Sequence, residues 1–210
     1  MRKKLKKPTF GLLYSFARQM ASVLMYTLYR VKVVNIGLIQ KIQTPYIIIS
    51  NHRSAMDPIA LSCCVKDRCI RFMAKKELMS TRFTKWLLGK KLRAISVDRH
   101  SNDIDALRSA IKAIKEGHVV GIFPEGTRHK KGLMDDMESG VAILALRCQV
   151  PLVPVYIHPQ LRLFRRTQLI AAPPVETSDL TQKPLSKTVC DELLMRVTRV
   201  YEKLYAENAK

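Results

Sequence analysis

Asn51-His52-Arg53-Ser54-Ala55-Met56-Asp57-Pro58 carries an imidazole and, five residues on, a carboxylate. Histidine titrates near neutrality, and a carboxylate against its ring fixes which nitrogen keeps the proton. The two are therefore a candidate general base and its orienter. On an ideal helix, positions five apart point about 140° away from each other, so His52 and Asp57 must meet across a turn or a distorted first helical turn. A plainer reading stands beside it: Asp57 caps a helix that begins at Pro58, and His52 is a turn residue. A second cluster, Phe123-Pro124-Glu125-Gly126-Thr127-Arg128, supplies a glycine, a hydroxyl, a guanidinium and backbone N–H groups, which are the donors a phosphate needs. Glu125 can accept a hydrogen bond from a substrate hydroxyl, or pair with Arg128 in an ordinary loop.

Each cluster directly follows a strand-like run, Tyr46–Ile49 for the first and Val119–Phe123 for the second. Ile70–Ala74 and Ala94–Val97 are weaker strand candidates, and Leu152–Ile157 is a further one. Helical patterns lie between and after them: Asn102–Glu116, with Ile104, Leu107, Ile111 and Ile114 on one stripe, Glu138–Arg147, and a long C-terminal helix over Leu185–Tyr205. Alternation of this kind predicts an α/β fold with a mostly parallel central sheet flanked by helices, whose chemistry gathers beyond the carboxyl ends of the strands.

Ahead of this body, Thr9–Val31 reads as one helix, with Leu12, Leu13, Phe16, Met20, Val23, Leu24 and Leu28 at three- and four-residue steps. Arg2, Lys3, Lys4, Lys6 and Lys7 precede it. A basic lead and an apolar stripe suit a helix lying in a membrane interface; a helix packed on the domain's own core fits the pattern equally. Arg18 interrupts the apolar run, so a cleaved signal peptide is not expected.

Lys and Arg total 37 against 17 Asp and Glu, a net charge of +20 that calls for an anionic partner. The cations are spread along the chain without a nucleic-acid recognition motif, so no nucleic acid is expected. The five cysteines form no CxxC pair and read as reduced thiols. His100, His118, His129 and His158 lack ligand-like spacing and read as structural or surface residues, with no metal. No G-x-S-x-G elbow is present, which argues against a serine hydrolase.

In this order, and followed by Val150-Pro151-Leu152-Val153-Pro154-Val155, the two clusters resemble the glycerolipid acyltransferase family of the PlsC type, the 1-acyl-sn-glycerol-3-phosphate acyltransferases. The family's NHxxxxD pattern is matched by Asn51, His52 and Asp57, its FPEGTR block by Phe123 to Arg128, and its V-P-x-x-P-V strand by Val150 to Val155. Ile95-Ser96-Val97-Asp98-Arg99 fits the remaining block, and Ala74-Lys75-Lys76-Glu77-Leu78 resembles the A-K-x-E-L segment. Glu138 stands where family members often carry Lys. The resemblance implies acyl transfer without a covalent acyl-enzyme: His52 as base, Asp57 as its orienter, and Lys75 as a candidate for stabilising the thioester oxyanion. Arg99, Gly126, Thr127 and Arg128 would hold the acceptor's phosphate, and Glu125 its glycerol. It implies lysophosphatidic acid or a similar lyso-lipid as acceptor, acyl-CoA or acyl carrier protein as donor, and no further cofactor. It also tips the N-terminal helix toward an anchor on an anionic membrane surface, with residues 1–32 as the basic, membrane-associated segment and 33–210 as the acyltransferase domain. The expected location is the cytoplasmic face of the cell membrane, monotopic or peripheral.

Overall fold

Ile47, Ile48 and Ile49 are each 0% exposed. Three consecutive β-branched residues reach that state only in a strand covered on both faces. The computed structural model describes residues 12–65, 69–82, 94–98, 104–125 and 137–208. Their strands are β1 (Val31–Val34), β2 (Ile47–Ser50), β3 (Ile70–Lys75), β4 (Ile95–Val97), β5 (Val119–Ile122), β6 (Leu152–His158) and β7 (Thr167–Ala171). They form a seven-stranded sheet in the order β1-β7-β6-β2-β5-β3-β4, with the isoleucine strand at its centre. Every pairing is parallel except β6 with β7. The fold is thus α/β with a mostly parallel sheet, as the alternation predicts.

The antiparallel return of β7 decides which strand ends lie together. Because β1 pairs with β7 in parallel, the starts of β1 and β7 lie at the same end of the sheet as the carboxyl ends of β2, β3, β5 and β6.

The described helices are α1 (Leu12–Thr27), α2 (Ile36–Gln40), α3 (Asp57–Ser62), α4 (Ile104–Lys115), α5 (Gly140–Cys148) and α6 (Lys187–Asn208). On one face of the sheet, α4, α5 and α6 pack over Ile47, Ile49, Val120 and Leu152. On the other, Met25 of α1, Ile39 of α2 and Ala60 and Leu61 of α3 pack over Ile48, Val153 and Leu169. The stripe of α6 is regular, with Val189, Leu193, Val197, Tyr201 and Leu204 buried at helical spacing. That of α4 departs from the expectation. Ala106, Ala110 and Ala113 take the buried face together with the expected Ile114, Leu107 and Ile111 only flank it, and Ile104 is 58% exposed. Small side chains let this helix lie close against its neighbours, which larger ones would prevent.

The N-terminal helix is shorter than its periodicity predicts. It stops at Thr27, the chain turns through Arg30 in the left-handed region at φ 45°, and Val31 pairs with Thr167 in the sheet. Helical geometry cannot continue through that φ, and the β-branched Val31, Val33 and Val34 gain a strand partner instead. The expected division between residues 32 and 33 therefore falls inside β1. Residues 9–11 of the expected helix lie outside the described ones. The five cysteines are free thiols, and burial raises the thiol of Cys148 to about 11.

Candidate active site

At the end of β2 the chain needs a way to leave the sheet without stranding polar groups. Asn51, 0% exposed, provides it. Its side-chain Nδ2 donates to the Ile157 carbonyl at 3.1 Å, and its Oδ1 accepts from the Ile157 N–H at 2.8 Å. The amide thus copies one more rung of the β2–β6 ladder while the backbone turns away. No sequence pattern assigned this work to Asn51.

The next turn wraps around a single oxygen. Asp57 Oδ2 accepts the Arg53 N–H and the Ser54 N–H, each at 2.7 Å, and lies 2.9 Å from His52 Nδ1. Ser54 Oγ accepts the Met56 N–H at 3.2 Å. Asp57 opens α3 with Pro58 next in line, and the helix has no side-chain cap from Met56. The carboxylate therefore closes the loop before it rather than capping the helix after it. In this geometry the two side chains are in contact and Asp57 does not cap the helix. The pair meets across a turn, as the 140° separation requires, and a carboxylate that is 0% exposed is compensated by three donors.

His52 Nδ1 donating to Asp57 leaves Nε2 as the basic nitrogen. The other side of the ring is held by Phe123, stacked at 4.2 Å between centroids and 26° between planes. Phe72 supports Phe123 at 6.0 Å. Phe72 has room because residue 121 is glycine: a Cβ there would stand 2.5 Å from two atoms of the Phe72 ring and 2.7 Å from Ile70. A packing line thus runs from Gly121 through Phe72 and Phe123 to the imidazole.

The chain carries on from Phe123 through Pro124 to Glu125, which is 9% exposed at the next strand end. Its charge acts on the fully buried Tyr201 of α6, whose phenol is pushed well above the ordinary range, first by burial and further by Glu125. Tyr201 Oη donates toward the Ile49 carbonyl at 2.8 Å, with the Val155 carbonyl at 3.3 Å. The C-terminal helix is thereby tied to the two strands that end at the site. Arg53 faces a third group. Burial and then the Arg53 charge hold His158 below its ordinary pKa, and the same charge opposes the upward push of burial on Tyr156. Tyr156 and His158 stack at 5.7 Å. Tyr201, Tyr156 and His158 adjoin the site without having been singled out for it, because their place depends on which strands neighbour β2.

Of the residues expected from sequence, His52 and Asp57 are in contact, and Glu125 lies at the end of the strand beside theirs. Lys75 ends β3, one strand farther on, and is exposed. Arg99, Gly126, Thr127 and Arg128 lie outside the described residues. The two ends of the segment 126–136 are brought together by the Glu138 N–H, which donates to the Pro124 carbonyl at 3.1 Å.

The chain is similar to known proteins. A family model described as Acyltransferase matches residues 30–158, which contain the whole site. The chain is 30% identical over 167 residues to 1-acyl-sn-glycerol-3-phosphate acyltransferase of Bacillus subtilis (strain 168), covering 76% of this chain and 82% of that one. It is 32% identical over 153 residues to the alpha form from Mus musculus, covering 65% of this chain and 52% of the mouse protein, about half its length. Among solved structures, the 1-acyl-sn-glycerophosphate (LPA) acyltransferase PlsC from Thermotoga maritima superposes with a TM-score of 0.66 at 25% identity, covering 92% of this chain and 79% of that one.

Proposed function

From the premise that the chain belongs to the acyltransferase family, we propose that it transfers an acyl group from acyl-CoA or acyl carrier protein to the sn-2 hydroxyl of 1-acyl-sn-glycerol 3-phosphate, giving phosphatidic acid for phospholipid biosynthesis. The observation that carries this reading is the His52–Asp57 pair, held at 2.9 Å beside the strand end that bears Glu125. The names of the relatives in Bacillus and mouse support the choice of acceptor.

The nucleophile is the acceptor's own hydroxyl. His52 Nε2 takes its proton as the oxygen attacks the thioester carbonyl, and Asp57 stabilises the imidazolium that forms. As the tetrahedral intermediate collapses, the C–S bond breaks, and the imidazolium returns the proton to the departing thiolate. The products are an ester and a free thiol. The carbonyl oxygen needs donors while it is anionic, and Lys75 is assigned to that task. Arg99 with Gly126, Thr127 and Arg128 holds the phosphate, and Glu125 the glycerol. No cofactor beyond the thioester enters this scheme. Among the described residues no helix is long and apolar enough to cross a membrane, and α1 is assigned to a peripheral seat on the cytoplasmic face.

The test is direct. Purified protein is given labelled acyl-CoA or acyl carrier protein with a panel of lyso-lipids, and the products are separated. Diacyl product made fastest from 1-acyl-sn-glycerol 3-phosphate is expected. Faster turnover of another lyso-lipid would replace the acceptor, and free fatty acid alone would replace transfer with hydrolysis.

A further inference from the structure

The apolar stripe of α1 is divided between two directions. Met25 is 0% exposed, and the same helix is tied to the end of α3's segment by Arg18, which donates to the Val65 carbonyl at 3.0 Å. Phe16, Met20 and Val23 stand away from that contact at 63%, 54% and 52% exposure. A helix that already has a buried face and still presents large apolar side chains to water has a second surface to cover.

That surface continues onto a loop more than 130 residues away in the chain. Between β6 and β7, Leu163 and Phe164 are 53% and 69% exposed. The Phe164 N–H donates to the Leu28 carbonyl at 2.6 Å, which places the loop tip against the end of α1. At the other end of the loop, Gln160 Nε2 donates to the carbonyl of Arg53, the residue after the catalytic histidine, at 2.8 Å. One loop therefore touches both the N-terminal helix and the active-site turn. Its flanks are cationic and exposed: Arg162, Arg165 and Arg166. Arg30, Lys32 and Arg166 line a cleft of about 540 Å³ where α1 runs into β1. The sequence contains no Asp or Glu before Asp57, and none from Ser139 to Val175. The two segments that build this face thus contain no carboxylate of their own.

We propose that the loop 159–166 is a second membrane-contacting element, which together with the outer stripe of α1 seats the chain on an anionic bilayer with the His52 end of the sheet toward the lipid. This role rests on the lipid acceptor assigned under Proposed function and adds the surface that brings the enzyme to it. Apolar side chains at the tip with arginines around them match the layering of a bilayer interface, acyl chains below and phosphates at the level of the guanidinium groups. A second copy of the chain is a poorer occupant, because it would bring cationic face against cationic face. The topology agrees: the β6–β7 loop leaves the same end of the sheet at which His52 stands.

The experiment uses the full chain and vesicles of phosphatidylglycerol and phosphatidylcholine in equal amounts. Leu163→Ser with Phe164→Asn removes the apolar tip; asparagine suits the left-handed backbone at residue 164, where φ is 59°. Vesicle affinity is expected to fall by roughly tenfold or more, while turnover of a short-chain, water-soluble lyso-lipid stays at the parental level. Phe164→Trp keeps the apolar character and reports its surroundings. Relative to the parent, which holds one tryptophan, its added emission should shift to the blue with vesicles and be quenched by brominated acyl chains. Parental vesicle affinity in the double variant, or added emission in Phe164→Trp that ignores the vesicles, would overturn the proposal. So would self-association in sedimentation that the double variant abolishes without any change in vesicle binding. Loss of the lipid-acceptor reading has its own signature, since the parent would then fail to acylate the soluble lyso-lipid at all.

Discussion

In the turn from Asn51 to Asp57, one carboxylate oxygen gathers two backbone N–H groups and an imidazole, and an asparagine side chain completes a strand ladder. On the outer side of α1, Phe16, Met20 and Val23 meet water with large exposed areas. The first region is polar, largely buried and held by hydrogen bonds that converge on one oxygen; the second is apolar and open. The difference fits the two roles proposed above. A base must keep one tautomer and one orientation through the reaction, which a network of short hydrogen bonds enforces. A surface that meets a bilayer must leave its apolar area uncovered by the protein, so that the lipid covers it.

The sharpest way to break this comparison is at the histidine. His52→Ala should lower turnover by about 10²–10⁴-fold with the melting temperature nearly unchanged. Asp57→Asn keeps one oxygen acceptor for the loop but removes the charge, and should also lose most of the activity. Steady-state rates and thermal melts decide both, and a parental rate in Asp57→Asn would reduce that residue to a loop-closing acceptor.

Next in size is the contrast between the two sides of α1. Met25→Ala, at 0% exposure, should cost about 2–5 kcal/mol of stability. Val23→Ser, two residues away and half exposed, should change it by no more than about 0.5 kcal/mol. Urea unfolding measures both, and similar costs at the two positions would mean that the outer stripe is part of the core after all.

Gly121→Ala tests the packing line behind the imidazole. The added methyl would have to push Phe72 aside, at about 1–3 kcal/mol. Turnover should fall as Phe123 shifts against His52. A stability loss with unchanged turnover would detach Phe72 from the positioning of the base. Smallest is Tyr201→Phe, which deletes the hydroxyl that reaches the Ile49 carbonyl. About 1 kcal/mol of stability should disappear, measured by denaturant melts, with turnover altered less than in the His52 variant.

The parts that could be read without a structure are those written in local patterns. Three successive isoleucines predict a buried strand, the alternation of strands and helices predicts the sheet, and the spacing from His52 to Asp57 predicts a turn. The parts that could not be read depend on neighbours distant in the chain. Val31 reads as the last turn of a helix because its strand partner, Thr167, lies 136 residues away. The stripe of α4 runs through its alanines rather than Ile104, because the available depth over the sheet, and not hydrophobicity alone, selects which side faces inward. Tyr201 carries no motif, yet it braces two strand ends from the far end of the chain.

By itself, then, the sequence determined the chemical inventory: an imidazole and a carboxylate after one strand, a block with the donors a phosphate needs after another, and a cationic excess suited to anionic ligands. Those are properties of residue type and short spacing, which the chain carries before it folds. Tertiary structure alone decided that Asp57 closes the loop and does not cap the helix, because the choice lies in which N–H groups face one oxygen. It also decided that α1 has both a buried and an open side, and that the β6–β7 loop joins that open side to the turn that carries His52. The antiparallel return of β7 brings those distant segments to one end of the sheet, and strand order is a property of the packed chain that no local pattern contains.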